Sequence, residues 1–356
     1  MPRSRLRDLG ITIGRLPPGP QNAITDVAGV LVGHRTVIRD NPSVTRTGVT
    51  MIVPREGRIW TDFAFAGYHA FNGNGEMTGI PWIEESGLLT SPIGITNTYA
   101  VGIVRDALVA YAVERGYSTR FHLPVVAETF DGYLNDIDAF PLTREDAFAA
   151  LGAARAGAVD EGNVGGGTGM RCHGFKGGIG TASRIVESQS GRFTLGALVQ
   201  ANYGRRYHLR VDGVPVGREL EARADGGEPK GSIIVILATD APLLAVQCRR
   251  LAQRATAGLA RVGGLGFNSS GDLFLAFATG NHLREPVTGP YSLTMLPHEH
   301  IDPFFEGAAE AVEEAILNAL CAAETMTGYR GTVEALPLDE VARIMARYRP
   351  SALPPR

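Results

Sequence analysis

The sequence has 356 residues, and its 34 lysines and arginines against 37 aspartates and glutamates leave a net charge of -3. This balance excludes the basic field that proteins use to bind nucleic acid or an anionic membrane surface. Hydrophobic residues make up 44% of the chain, which is enough for a large core, yet no run approaches transmembrane length. The basic start has no apolar stretch behind it, so we expect no secretion signal and a cytoplasmic protein.

The glycines and cysteines set further bounds. The 45 glycines lie in short clusters between apolar runs, which predicts tight turns and close approaches of the backbone. Three widely spaced cysteines, Cys172, Cys248 and Cys321, form neither a CxxC pair nor a disulfide framework. We therefore expect a mixed α and β protein that uses no metal or other cofactor.

The first part of the chain predicts two strands and a polar loop. Loose alternation over residues 24–34, and a second run over 48–54 that ends at a proline, are typical of paired strands. Residues 72–79, with the sequence NGNGEMTG, form a turn-rich loop that carries one acid and two amides. Such a loop suits a wall of a binding site, and it suits a polar surface loop equally well.

A helix and a strand follow. Asn97 or Thr98 is expected to cap a helix over about residues 99–115, where apolar residues repeat at helical spacing. The strand that begins near residue 124 ends with Glu128. A carboxylate is costly to bury there without a partner, which a substrate ammonium group or an internal arginine would supply. Thr143 opens a further helix through about residue 156.

The middle of the chain is rich in glycine and then in polar residues. Residues 162–170 have the densest glycine, but the segment lacks the GxxxxGK[ST] pattern of a phosphate loop, so we expect close backbone packing there instead. The strand over residues 193–204 carries Asn202 at its end, where an amide suits either a developing oxyanion or a turn. Residues 205–231 are polar and rich in glycine and proline, and we predict a flexible linker.

The segment from residue 231 to residue 240 is the most informative one. Gly231 and Ser232 stand before five strongly apolar, mostly β-branched residues, which predict a buried strand. A serine directly after a glycine at the start of a central strand suits self-cleavage. Its hydroxyl attacks the preceding carbonyl, and the cut leaves Ser232 as an N-terminus that carries both a nucleophile and an amine base. The plain alternative is a polar residue that merely begins a strand.

The last part of the chain adds a hydroxyl and a carboxylate. After a helix over about residues 241–260, Ser270 and Asp272 alternate onto one face of the next strand, so that they can converge on one point. Two more helices are predicted over about residues 303–323 and 338–347.

These segments together resemble one known family, the L-aminopeptidase/D-esterase family that includes the β-aminopeptidases. The resemblance rests on motifs spread in the right order from residue 20 to residue 280, namely NGNGEMTG at 72–79, ETFDG at 128–132, GNVG at 162–165 with GGIGTAS at 177–183, Gly231-Ser232, and SSGD at 269–272. It implies an α+β fold, a four-layer αββα sandwich like that of the N-terminal-nucleophile hydrolases.

The resemblance also implies how the chain is divided and assembled. Self-cleavage would give an α subunit of residues 1–231 and a β subunit of residues 232–356, both within one structural domain. Several such pairs would form a homo-oligomer. The substrate would be a small peptide, amide or ester with a free amino group, and the N-terminal residue removed would be an L-α, D-α or β-amino acid.

The roles implied for single residues follow from the motifs. Ser232 would be the nucleophile, while its freed amine or Ser270 coupled to Asp272 would handle the proton. Asn202 would be the oxyanion donor, and Glu128 would hold the substrate ammonium group. Two positions depart from the family pattern. Phe130 stands near a place where relatives can carry a tyrosine, with Tyr133 as the candidate replacement, and we expect both residues to bind substrate. Asp272 stands where some members have glutamate.

Two other functions remain compatible with the sequence. An acyltransferase of the ornithine acetyltransferase type shares the implied fold and self-cleavage, but it uses threonine where this chain has Ser232. A non-enzymatic binding protein would keep an uncleaved chain, with Ser232 as an ordinary strand residue.

Overall fold

The computed structural model describes residues 3–117, 121–220 and 231–348. Within these ranges the strands, in chain order, are β1 Leu31–Arg39, β2 Thr45–Val53, β3 Asp62–Gly73, β4 Leu88–Leu89, β5 Ile93–Asn97, β6 Val125–Thr129, β7 Arg171–Cys172, β8 Phe175–Lys176, β9 Gly178–Ser188, β10 Gly191–Asn202, β11 Ser232–Thr239, β12 Gly271–Arg284, β13 Met326–Gly328 and β14 Gly331–Val333. The α-helices are α1 Ile80–Ser86, α2 Val101–Glu114, α3 Arg144–Gly152, α4 Val216–Glu219, α5 Ala245–Val262, α6 Asp302–Ala322 and α7 Leu338–Tyr348.

Two sheets and two helix pairs build four layers. One sheet has the order β1-β2-β5-β6, and the other has the order β4-β3-β12-β11-β10-β9. Helices α2 and α3 pack on the first sheet, and α5 and α6 pack on the second. The chain is therefore an α+β protein with the layer order αββα, as expected.

The alternation of side chains along β11 shows why this strand is central. Ile233, Val235 and Leu237 are fully buried in the core that the larger sheet shares with α5 and α6. Ile234 and Ile236 are fully buried in the core between the two sheets. Successive residues of a strand point to opposite faces, so a strand with a core on each side must be apolar throughout.

The predicted cleavage point lies in the middle of the larger sheet. β11, which starts at Ser232, pairs with β10 in antiparallel fashion and with β12 in parallel. In this sheet β11 and β12, which follow the Gly231–Ser232 bond, lie side by side between β10 and β3, which precede it. Hydrogen bonds between these strands would still join the two pieces after a cut.

Most predicted elements are present, two predictions need correction, and one long strand is missing from the prediction. The strand predicted over residues 24–34 begins only at Leu31, because Ile24–Asp26 forms a 3-10 turn in which the Asp26 carboxylate accepts from the Ala23 N–H. β3 was not predicted. The flexible linker over residues 205–231 is wrong for residues 205–220, where Leu209 and Val211 are fully buried, and residues 221–230 lie outside the described residues.

The glycine-rich segment packs closely against other backbone, as predicted. A Cβ on Gly166 would lie 2.1 Å from the Gln200 side chain, and one on Gly167 would lie 2.4 Å from the Ile179 nitrogen. No other residue fits at these two positions.

Neither a membrane-spanning helix nor a metal cluster is found in the described ranges. No helix there combines the length and the apolar character needed to cross a bilayer. The same residues contain no group of three or more His, Cys, Asp or Glu side chains that could hold a metal ion. The three cysteines are buried and free.

Candidate active site

Ser232 occupies the first position of β11, where the strand emerges from the core. Ser232 is two positions before Ile234, so it lies on the same face of β11, the face toward the other sheet. Ser232 is 6% exposed. The Gly271 N–H, which lies at the start of the neighbouring β12, donates to the Ser232 Oγ at 3.0 Å. The hydroxyl is thus held in place by the backbone of an adjacent strand.

Gly231 has no room for a side chain. A Cβ at this position would lie 2.0 Å from the Asn202 carbonyl oxygen and 2.9 Å from the Tyr203 Cα. The backbone before Ser232 can therefore run close to the end of β10 only because residue 231 is glycine.

Ser232 opens onto a large cavity with a volume of about 840 Å³. This is within the size range of sites for small molecules. The lining residues come from seven parts of the chain and are Gly73, Asn74, Gly75, Glu76, Thr98, Glu128, Phe130, Gly132, Tyr133, Gly169, Arg171, Gly231, Ser232, Ser269 and Arg330. Residues of the polar loop at 72–79 therefore form a wall of this cavity. This favours its interpretation as part of a binding site over that as a polar surface loop.

Glu128 lines the same cavity and is 3% exposed. The Glu76 N–H donates to its Oε1 at 3.0 Å, and the Thr98 hydroxyl donates to its Oε2. Burial raises the pKa of Glu128, the Glu76 carboxylate adds to that rise, and the two hydrogen bonds oppose it. Within the described residues no cation is paired with Glu128, so an internal arginine is not its partner there.

Asn202 faces Ser232 across the β10–β11 pair. Its Oδ1 accepts from the Arg171 N–H at 2.9 Å, and its Nδ2 donates to the Phe130 carbonyl oxygen at 3.0 Å. An amide nitrogen carries two protons, so one donor remains for another acceptor. The strand-end asparagine thus fixes the start of β7 and the residue that follows β6, both beside the nucleophile.

Ser270 and Asp272 converge as expected, but behind the strand that carries Ser232. The Ser270 Oγ donates to the Asp272 Oδ1 at 2.6 Å, and both residues line a small cavity together with Gly231 and Tyr203. Burial raises the pKa of Asp272 from 3.8 to about 6, while the hydrogen bond from Ser270 opposes the shift. This pair therefore lies next to Gly231, on the other side from the large cavity.

Phe130 and Tyr133, the two expected substrate-binding residues beside Glu128, both line the large cavity. The Phe130 ring is 46% exposed and covers Gly132. The Arg171 guanidinium stacks on the Tyr133 ring at 4.2 Å. Tyr133 thus holds a cation against the wall of the cavity.

Sequence reasoning missed several groups at this site. The Gly271 N–H and the Thr98 hydroxyl meet their partners only through strand pairing. Arg171 and Arg330 line the cavity as well. No periodicity or motif singles out these arginines, because they come from a short strand and from a turn near the end of the chain.

Comparison with known proteins gives one family and several close relatives. The model of peptidase family S58 matches residues 22–334. A protein from Sphingosinicella microcystinivorans named beta-peptidyl aminopeptidase BapA is 46% identical over 368 residues, which cover 97% of this chain and 92% of that protein.

Two solved structures share the architecture over nearly the full length. The beta-aminopeptidase of a Burkholderia species is 51% identical, with a TM-score of 0.91 over 99% of this chain and 100% of that one. The L-aminopeptidase D-Ala-esterase/amidase of Ochrobactrum anthropi is 44% identical, with a TM-score of 0.91 over 98% and 99%. The latter is described as a prototype for the serine aminopeptidases and as a variant of the Ntn-hydrolase fold.

Proposed function

The chain belongs to peptidase family S58 and is a hydrolase of the aminopeptidase type, and on that premise we propose that it cleaves its own Gly231–Ser232 bond and then removes N-terminal residues through an acyl-enzyme on Ser232. The single observation that supports this most is that Ser232 and the buried Glu128 line one cavity. A nucleophile and a carboxylate receptor for ammonium in one space are what an aminopeptidase needs.

Self-cleavage begins with the attack of the Ser232 Oγ on the Gly231 carbonyl carbon. The peptide C–N bond breaks, an ester joins the Gly231 carbonyl to Ser232 Oγ, and the nitrogen of Ser232 becomes a free amine. Water then hydrolyses the ester and leaves a carboxylate on Gly231. To Ser270 and Asp272, which line the small cavity beside Gly231, we assign the proton transfers of this step.

The catalytic cycle uses the same hydroxyl on the large-cavity side. The substrate ammonium group pairs with Glu128, and Ser232 Oγ attacks the carbonyl carbon of the N-terminal residue while its proton passes to the α-amine of Ser232. The second amide proton of Asn202 is the donor that we assign to the oxyanion. The leaving amine takes the proton, and water releases the acyl group from Ser232.

The relatives suggest which residues are removed. Two proteins with a β-aminopeptidase name are 46% and 51% identical to this chain, so we infer that it accepts N-terminal β-amino acid residues. D-alanyl esters and amides are a second substrate class, by analogy with the Ochrobactrum anthropi enzyme. The one methylene that separates these classes is worth only about 1–3 kcal/mol in a pocket.

Two further parts of the proposal concern assembly and location. Tyr99 and Phe140 stack with their ring centroids 5.6 Å apart, and both are exposed beside an apolar pocket, which suits a surface buried in a homo-oligomer. Buried free cysteines suit the reducing cytoplasm. Light scattering in solution tests the first part, and cell fractionation tests the second.

The test of the activity uses p-nitroanilides of β-alanine, L-alanine and D-alanine, each beside its N-acetylated counterpart. We expect nitroaniline release only from the free amines, because Glu128 binds an ammonium group. Equal rates on acetylated substrates would contradict the proposal. Product analysis with a competing amine separates hydrolysis from the acyl transfer of the ornithine acetyltransferase type, and predominant transfer would favour that alternative.

A further inference from the structure

The large cavity carries charges of both signs. Glu76 and Glu128 line one part of it, and Arg171 and Arg330 are its cationic lining residues. Glu128 has a role in the proposed function, as the receptor of the substrate ammonium group, and the Glu76 backbone N–H donates to it. The arginines have none so far.

Arg171 is a half-buried guanidinium without an acidic partner. Its side chain makes no ion pair or hydrogen bond with the described residues, and only the Tyr133 ring, at 4.2 Å, supports it. Burial lowers the pKa of Arg171, and no carboxylate offsets that effect. A guanidinium stays charged in proteins, and a partly buried charge is costly unless something pairs with it.

The contrast with Arg184 shows what this fold does with a buried guanidinium elsewhere. Arg184 is fully buried, and its Nε and Nη2 lie 2.9 and 2.7 Å from carboxylate oxygens of Glu310 and Glu314. That charge is neutralised from within the chain. The guanidinium of Arg171 instead faces the cavity, where a ligand has access.

Arg330 reaches the same cavity through the same tyrosine. Its backbone N–H donates to the Tyr133 carbonyl oxygen at 2.9 Å, and its side chain makes no ion pair with the described residues. The next residue, Gly331, has φ +146°, and a Cβ there would lie 2.9 Å from the Tyr133 hydroxyl. The turn therefore packs tightly on Tyr133, which positions both arginines.

We propose that Arg171 and Arg330 bind the free C-terminal carboxylate of a short peptide whose N-terminal ammonium group is held by Glu128. The proposal rests on the proposed function and names its substrate class, dipeptides and other short peptides with both termini free. A guanidinium matches a carboxylate in charge and in bidentate geometry. The cavity, at about 840 Å³, has the volume of a small-molecule site and suits a ligand of this length.

The experiment compares three substrates that share an N-terminal residue and a scissile bond. They are β-alanyl-L-alanine, its C-terminal amide, and β-alanyl-L-glutamic acid α-amide, whose only carboxylate is in the side chain. For the wild-type chain we expect kcat/KM to be about tenfold or more higher for the free acid than for the alanine amide, the scale of a charge-assisted hydrogen bond. A ratio near one would overturn the proposal while leaving the aminopeptidase function intact.

Variants of the two arginines test whether they cause the preference for the free acid. Arg171→Gln and Arg330→Gln are each expected to reduce the acid-to-amide ratio about tenfold, mainly through KM, and Arg171→Lys is expected to restore part of it. Arg105→Gln, on the exposed face of α2, is the matched control and keeps the wild-type ratio. Should Arg171→Gln fail to fold, Arg330→Gln in its exposed turn decides the matter alone.

The remaining outcomes are equally decisive. An unchanged ratio in both glutamine variants would overturn the assignment to these arginines. A preference for the glutamic acid α-amide over the dipeptide would assign the arginines to an acidic side chain and would also overturn it. Failure of every substrate in a correctly folded sample would remove the proposed function and this proposal together.

Discussion

Asn202 and Ser232 are direct partners across the antiparallel pair of β10 and β11, with both residues on the face toward the other sheet. One N–H of the Asn202 amide is engaged by the Phe130 carbonyl oxygen, so the other is the donor left for a group beside the serine. Two residues that lie 30 positions apart in the chain are thereby held as neighbours by regular strand pairing.

Replacing Asn202 tests the oxyanion role. We expect Asn202→Ala to lower kcat by about 10²–10³-fold, since one such donor is worth about 3 kcal/mol in the transition state. Steady-state kinetics on the processed protein measure this. Asn163→Ala is the matched control, because that amide also bridges backbone groups, those of Glu324, but lies outside the cavity. A kcat within threefold of wild type would count against the role of Asn202.

Replacing Glu128 tests the ammonium receptor. Glu128→Gln keeps the shape of the side chain but removes its charge, so we expect KM for free-amine substrates to rise about tenfold to a hundredfold, the range of a hydrogen bond to a charged group. Self-cleavage involves no substrate ammonium, so the two pieces should still form. An unchanged KM would exclude Glu128 as the receptor.

The same residue predicts a pH dependence. Only the ionised carboxylate attracts an ammonium group, and burial raises the pKa of Glu128 above its ordinary value of 4.5. As the pH falls through that raised pKa, kcat/KM for free-amine substrates should fall. A pH profile of Glu128→Gln should lack this step, and a step of the same size in both proteins would assign it to another group.

How much of this site can be predicted from the sequence depends on the kind of signal. The buried strand after Ser232 follows from five consecutive apolar residues, and the helix cap at Asn97, whose Oδ1 accepts from the Tyr99 and Ala100 N–H groups, follows from local chemistry. The position of Glu128 at the end of a strand is local in the same way.

The rest depends on contacts that no local pattern encodes. Thr98 reaches Glu128 because β5 and β6 are parallel and in register, with Thr96 opposite Glu128. β3 was not predicted because Gly67 interrupts its pattern of apolar residues. Glycine is needed there because of a tertiary contact, since a Cβ would lie 2.1 Å from the Arg249 nitrogen in α5. Arg171 and Arg330 line one cavity only in the folded chain.

The raised pKa of Asp272 predicts that this residue destabilises the fold at neutral pH. Burial raises that pKa from 3.8 to about 6. The cost of ionising the carboxyl in the folded chain is absent below about pH 4, grows between about pH 4 and 6, and is complete above, at about 3 kcal/mol for two pKa units. Asp272→Asn should remove this pH-dependent cost.

The measurement is urea unfolding of two uncleaved variants, Ser232→Ala and Ser232→Ala with Asp272→Asn. The quantity to follow is the free energy of unfolding of the double variant minus that of Ser232→Ala. This difference should increase by up to about 3 kcal/mol as the pH rises from 4 to 7. A difference that stays constant over this range would show that Asp272 is not buried as the structure has it.

Gly231 offers a test of the geometry of the cut. A Cβ at this position would collide with the Asn202 carbonyl oxygen, so Gly231→Ala should shift the bond away from Ser232 Oγ and slow self-cleavage strongly. Gly102→Ala is the matched control, because a Cβ there meets nothing within 4 Å. Denaturing gels over time measure both, and equal rates in the two variants would contradict the predicted constraint.

The central claim is that Ser232 cuts the chain and then acts as the nucleophile, and the intact mass under denaturing conditions tests it most directly. The wild-type protein should give two pieces of roughly 25 and 13 kDa, at about 0.11 kDa per residue, with serine at the N-terminus of the smaller one. Ser232→Ala should remain whole at 37.9 kDa. A single 37.9 kDa species in both samples, or the same two pieces in both, would contradict the account.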